Sequence, residues 1–172
     1  MKSTGVTRKI DELGRVVIPK EIRRNLEIRD GENLEIFIDN DSVILKKHYQ
    51  MHSSEELSNK LCNMVSNIID VSILISDQEK IISSSNNLIN LINKKLDKKV
   101  IQLIDNREIY ESNSLEKIKF NDVEIEGYYN IVPIISSTDS IGVVIIISKM
   151  KDNYIKYAEI ISKILSEKID IG

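Results

Sequence analysis

The sequence predicts two folding units of different kinds. Residues 1–53 form a β-rich head that folds only by sharing strands with a second copy, and residues 54–172 form an α+β domain behind it. Three observations point there. The first 47 residues carry short alternating apolar runs broken by turn signals, with few large apolar side chains. From residue 54 the hydrophobic period changes between helical and extended in the order α-β-β-α-α-β-β-α, which is an α+β sheet with helices packed on it. Charge is divided unevenly: residues 1–24 hold seven basic against three acidic side chains, net +4, leaving −7 on the rest of a chain of net charge −3.

The elements follow in order. Residues 5–10 and 15–18 read as strands flanking the loop Asp11-Glu12-Leu13-Gly14, whose glycine suits a turn needing positive φ. Pro19 opens a short amphipathic helix over 20–26, with Ile22 and Leu26 on one side and Arg23 and Arg24 outward. After the turn at Asp30-Gly31, Leu34, Ile36 and Ile38 alternate with Glu35, Phe37 and Asp39, and Asn40-Asp41 turns the chain into a return strand over 42–47. Four strands with so little apolar bulk make a marginal core. With no disulfide or metal cluster in the segment, the remedy is a dimer that exchanges strands.

Residues 48–52 form a polar connection, and Ser53 with Glu56 fits a capping box ahead of a helix over 54–69. Strands over 71–76 and 80–85 form a hairpin about Asp77-Gln78-Glu79, and helices near 87–96 and 98–106 follow. A hydrophilic stretch runs to Asn121; strands over 126–135 and 142–148 and a helix over 153–169 close the chain. The uninterrupted apolar runs 71–75 and 143–147 predict central strands buried on both faces.

Composition narrows the function. With 41% apolar and 30% charged residues among 172, the chain is neither a disordered tail nor a membrane protein. No apolar run suits a spanning helix, and the N-terminus lacks a secretion signal. A single cysteine, Cys62, fits a reducing compartment, so a cytoplasmic protein is expected. A basic segment on an acidic protein is the footprint of a nucleic-acid face.

No residue set supports an enzyme. Asp11, Glu12 and Glu21 sit beside Arg8, Arg15 and Arg24, where ion pairing that orients the arginines explains them better than acid–base chemistry. His48, His52 and Cys62 lack the spacing of a metal site, and Cys62 has no histidine partner to make it a nucleophile. Ser83 to Asn87 lacks the glycine and lysine of a phosphate loop and reads as a strand end and helix cap. No cofactor and no metal are expected.

The string Asp11-Glu-Leu-Gly-Arg-Val-Val-Ile-Pro19, within residues 5–26, closely resembles the N-terminal DNA-binding domain of the AbrB-like transition-state regulators. The segment from residue 54 is similar in length and element order to a GAF domain, most recognisably at Gly127-Tyr-Tyr-Asn130 and at Ile141-Gly142-Val-Val144. The first resemblance implies a swapped-hairpin β-barrel dimer whose arginines face DNA, here Arg8, Arg15, Arg23 and Arg24, with Lys9 and Lys2 as helpers. Guanidinium groups bind phosphates and guanine edges bidentately, so the chemistry agrees. Glu27 departs from the family, which commonly has glycine after the helix; a left-handed backbone there costs about 1 kcal/mol. The GAF resemblance implies a regulatory pocket near residues 83–109, with Asn86, Asn87, Asn90 and Arg107 as its polar groups and Tyr128 on the adjoining sheet. Any ligand there is small and noncovalent.

Together these imply a cytoplasmic, nucleoid-associated and forespore regulator of sporulation genes that binds double-stranded promoter DNA. It is dimeric through the head, tetrameric through GAF domains whose terminal helices pair, and takes no part in membranes. The alternatives are an antitoxin-like partner-binding protein on the same head, and a ligand sensor with incidental DNA contacts.

Overall fold

The computed structural model describes residues 4–26, 28, 30–31, 33–47, 51 and 54–171, without the side chains of Asp170 and Ile171. Lys2, Glu27, His48, His52 and Ser53 lie outside the described residues. The chain divides into two compact units, Met1–His48 and Tyr49–Gly172.

In the first unit Pro19 precedes helix α1 (Lys20–Asn25) and accepts the Arg23 N–H on its carbonyl at 3.0 Å. Strands β1 (Leu34–Asp39) and β2 (Ser42–Lys47) form the expected hairpin, with Ile36 opposite Leu45 and Ile38 opposite Val43. Asn40 turns it at φ +49°, a conformation its short amide tolerates. These pairs share one face, and that face is bare: Ile38 is 82% and Val43 70% exposed. Leu13 and Val17 are similarly bare, at 74% and 72%. Residues 5–10 and 15–18 form no strands within this chain, which corrects the four-strand expectation to two. A strand needs a neighbouring strand for its ladder of N–H and C=O groups, and among the described residues these segments pair with no strand of this chain.

The second unit is a sheet with helices on both faces. Its elements are α2 (Glu55–Ile69), β3 (Ser72–Ser76), β4 (Ile81–Ser84), α3 (Lys98–Asn106), β5 (Tyr110–Glu111), β6 (Glu116–Phe120), β7 (Val123–Ser136), β8 (Asp139–Ser148) and α4 (Ile155–Ile171). The strand order is β4-β3-β8-β7-β5, with β6 also pairing β7, all antiparallel. β3 and β8 are central, as their unbroken apolar runs require. Ile73, Ile75, Val144 and Ile146 enter a core with Cys62 of α2 and Ala158 and Leu165 of α4. Leu74, Val143 and Ile145 enter the opposite core with Val100 and Leu103 of α3.

Three features depart from expectation. The stretch before Asn121 contains β5 and β6, whose Ile118 and Phe120 are buried while Lys117 and Lys119 point out. The expected helix over 87–96 is instead a 3-10 segment, Asn86–Leu91, broken at Leu88. Its asparagines compete with helical hydrogen bonds, and Asn93 turns left-handed at φ +67°. Met51, in the expected polar connection, is fully buried in the core of the second unit. Its flexible thioether side chain suits an irregular gap.

Two glycines have no room for a side chain. A Cβ on Gly142 of β8 would stand 2.0 Å from the Ser76 carbonyl oxygen of β3, and one on Gly127 of β7 would stand 2.5 Å from the Ile147 Cγ2. Asn130 bolts β7 to the approach to α4: its Nδ2 donates to the Asp152 carbonyl at 3.3 Å and its Oδ1 accepts the Tyr154 N–H at 3.0 Å. The recognisable string 127–130 is thus a packing and docking device. Among the described residues no helix is long and apolar enough to cross a membrane.

Candidate nucleic-acid interface

The loop after residue 10 is built on one carboxylate. Asp11 Oδ1 accepts the N–H of Leu13 at 3.0 Å and of Arg15 at 2.8 Å. The Asp11 N–H donates to the Arg15 carbonyl at 3.0 Å, and the Gly14 N–H to the Asp11 carbonyl at 2.9 Å. Gly14 closes the turn at φ +75°, where a side chain is strained. Asp11 Oδ2 then takes the Arg15 Nε at 2.8 Å. The Arg15 backbone N–H, followed by its guanidinium, holds the Asp11 carboxyl below the ordinary aspartate range. The Arg15 side chain is 70% exposed, so it is held at its base and open at its tip.

Arg23 and Arg24 lie in the last turn of α1, where positive charge complements the helix dipole. Arg23 is half-buried, and its Nη1 pairs with Asp30 beyond the helix. Arg8 is exposed and its Nη1 donates to the Thr7 carbonyl at 2.9 Å. Arg24 and Lys9 are exposed, with no side-chain partner among the described residues. The pairing at Asp11 sets Arg8 and Arg15 on either side of one loop. The structure therefore offers four described arginines of three kinds: gripped by a carboxylate, tied to a carbonyl, and free.

The expectation for the acidic residues needs correction. Asp11 pairs with Arg15 as expected, but among the described residues neither Glu12 nor Glu21 pairs with Arg8 or Arg24. Asp30, read from sequence only as a turn residue, is the acid that engages Arg23. Turn composition hid its second role.

The residues proposed for a ligand pocket do not gather in one place. Asn87 latches the 3-10 segment onto β3, donating to Ser72 Oγ at 2.5 Å and accepting from Ser85 Oγ at 2.7 Å. Arg107, left-handed at φ +58°, donates to the Thr138 carbonyl in the β7–β8 turn. Asn86 and Asn90 are exposed. Tyr128 alternates with the core residue Tyr129 and so lies on the α4 side of the sheet, opposite the asparagines. Tyr129, not Tyr128, enters the core on the α3 side, and its hydroxyl donates to the Ile125 carbonyl at 2.5 Å.

A cluster that sequence reasoning missed clasps α3 to the sheet. Lys99 Nζ lies 2.7 Å from Glu116 Oε2 and 2.8 Å from the Tyr110 hydroxyl, which itself donates to Glu116 Oε1 at 2.5 Å. Cys62 is fully buried, and burial pushes its thiol up to about 12, which disarms it as a nucleophile. Among the described residues no group of three or more His, Cys, Asp or Glu is placed to hold a metal.

Comparison with known proteins agrees with the two-part architecture. Residues 53–170 match the family described as stage V sporulation protein T C-terminal, transcription factor, and residues 7–50 match the family of the bacterial antitoxin MazE, described as antidote-toxin recognition. Stage V sporulation protein T of Bacillus subtilis (strain 168) is 37% identical over 153 residues, which cover 87% of this chain and 86% of that protein. The transition state regulatory protein AbrB of the same organism is 60% identical over 48 residues, 28% of this chain and 50% of AbrB. A solution structure of its N-terminal DNA recognition domain covers 28% of this chain and 91% of that domain, with a TM-score of 0.25. The GAF domain of the phosphoenolpyruvate-protein phosphotransferase of Acinetobacter is 16% identical over 67% of this chain and 79% of that domain, with a TM-score of 0.51. That likeness is one of fold.

Proposed function

The chain belongs to the stage V sporulation protein T family, and from that premise we propose how its two units divide the work. It is a DNA-binding transcription regulator of sporulation genes, with an AbrB-like head and a GAF-like domain. The head, as a dimer, grips double-stranded promoter DNA with Arg8, Arg15, Arg23 and Arg24, helped by Lys9 and Lys2. The observation that carries this reading is the Asp11 loop, in which four hydrogen bonds from backbone N–H groups and an ion pair hold one arginine out into solvent. It works in the cytoplasm, on the nucleoid of the forespore.

Titrating the protein onto promoter fragments at several salt concentrations tests this. Four to eight phosphate contacts per head dimer give a log–log slope of about −4 to −7. Arg15→Ala and Arg23→Ala should each weaken binding by about 1–3 kcal/mol with an unchanged circular dichroism spectrum. A slope near zero in the wild-type protein would refute the reading. Loss of fold in the variants would make these arginines structural.

The second unit serves assembly. Met64 and Ile68 on α2 and Tyr157 and Ile160 on α4 are apolar and exposed, a stripe suited to pairing with the same helices of another copy. Head dimers and GAF-like dimers formed with different partners give a tetramer. Sedimentation of the double variant Ile68→Asp, Ile160→Asp should show dimers; a tetramer would mean that the stripe is not the contact. Ligand sensing is the remaining role for this unit, and a small molecule that biases the assembly would adjust DNA affinity by about 1–3 kcal/mol.

The MazE-family match of the head favours one further reading, an antitoxin-like protein that binds a protein partner. The head is joined to a folded sheet domain, so DNA binding is the reading preferred. A protein that retains no promoter DNA at low salt would leave this one standing.

A further inference from the structure

An arginine that reads a base differs from one that grips phosphate in which of its N–H groups remain open. A guanine presents two acceptors, O6 and N7, in the major groove, and a guanidinium meets both when its terminal nitrogens are unoccupied and its orientation is fixed. Phosphate is met from many directions and asks for no such fixing.

The head arginines differ on this point. Arg15 is held through Nε, and its Nη1 and Nη2 have no partner among the described residues. Arg23 and Arg8 are held through Nη1, Arg23 by Asp30 and Arg8 by the Thr7 carbonyl, so one terminal nitrogen of each is already engaged. Arg24 is open, with nothing among the described residues to orient it. The grip on Arg15 is also stiff, because Asp11 Oδ1 is fastened to two backbone N–H groups while Oδ2 holds the side chain. The carboxylate cannot follow the guanidinium as it moves. An arginine prepared in this way loses less rotamer freedom on docking than an unsupported one.

We infer that Arg15 is the base-reading arginine of the head, directed at the O6/N7 edge of a guanine, and that Asp11 is its positioning residue. Arg8, Arg23 and Arg24 then serve phosphates. This rests on the DNA-binding reading above.

Asp11→Asn isolates the effect. The asparagine Oδ1 still accepts the Leu13 and Arg15 N–H groups, so the turn survives, but its NH2 faces Arg15 Nε as donor against donor and releases the side chain. The experiment selects duplexes about three helical turns long from a random-sequence pool with the wild-type and variant full-length proteins. The enriched duplexes are then remeasured with each guanine replaced by 7-deazaguanine, which lacks the N7 acceptor. Wild-type protein should enrich a guanine-containing motif and lose about tenfold in affinity at one deaza position. Asp11→Asn should lose the guanine enrichment and the deaza sensitivity, while its affinity for the unselected pool rises as a negative charge leaves the DNA face. Its thermal midpoint reports whether the turn is intact. Wild-type binding indifferent to every deaza substitution overturns the assignment of Arg15. A variant that enriches the same motif with the same deaza sensitivity overturns the role of Asp11. Failure of the wild-type protein to retain any duplex at low salt overturns the DNA-binding reading, and this inference with it.

Discussion

Ile38→Lys should abolish promoter binding by the full-length protein, although the side chain is 82% exposed in the single chain. A substitution at a truly exposed site changes stability by no more than about 0.5 kcal/mol. Ile38, however, sits beside Ile36, Val43 and Leu45 on a hairpin face that is apolar up to Lys47 at its far end, and all four are exposed. If that face closes against a second head, each dimer loses two buried isoleucines, about 1.5–3 kcal/mol apiece, and must desolvate two ammonium groups as well. A head with no core of its own does not withstand that. Sedimentation and DNA retention of the variant check the expectation, with Asp41→Lys at the hairpin turn as the comparison that leaves both intact. An Ile38→Lys protein that assembles and retains DNA normally would refute strand exchange in the head.

The second large effect belongs to the other unit. Gly142→Ala should destabilise it by about 3 kcal/mol or more, the upper end of what overpacking costs. The obstacle is backbone, the Ser76 carbonyl at 2.0 Å with the Ser76 carbonyl carbon at 3.0 Å, so no side-chain rotation relieves it. β8 must move away from β3, and those are the two central strands. Gly127→Ala meets a methyl group of Ile147 first, which can turn aside, and should cost less. Thermal unfolding of the two variants orders them; equal midpoints would mean that β3 and β8 can separate locally without loss.

Much of this was legible in the residues, for reasons that also explain what was not. The hairpin of β1 and β2 and the central β3 and β8 carry unbroken two-residue alternation or continuous apolar runs, signals that survive any context. β6 carries the same alternation in Ile118 and Phe120, but over five residues rich in lysine it reads as a hydrophilic stretch. The 3-10 segment has helix-like spacing of leucines, and only the local preferences of its asparagines distinguish it. The arginines were identifiable by type and position. Which atoms of each stay open was not, because that depends on Asp30 reaching back to Arg23 and on the left-handed Gly14 aiming Arg15. Which face Tyr128 takes was not legible either, because it rests on a parity: one step along β7 exchanges the two faces of the sheet.

The bare hairpin face bears on dosage. A head that folds only in pairs would, alone, occupy promoters in proportion to the square of its copy number, silent when scarce and abrupt when abundant. If the second unit pairs each chain with a different partner, the last contact that closes such a tetramer forms within one assembly, at an effective concentration of order millimolar for a short flexible connection. The closed assembly then holds both head dimers together at copy numbers where separate heads would fall apart. On the proposed tetramer, the sheet domain would set how steeply promoter occupancy rises with copy number.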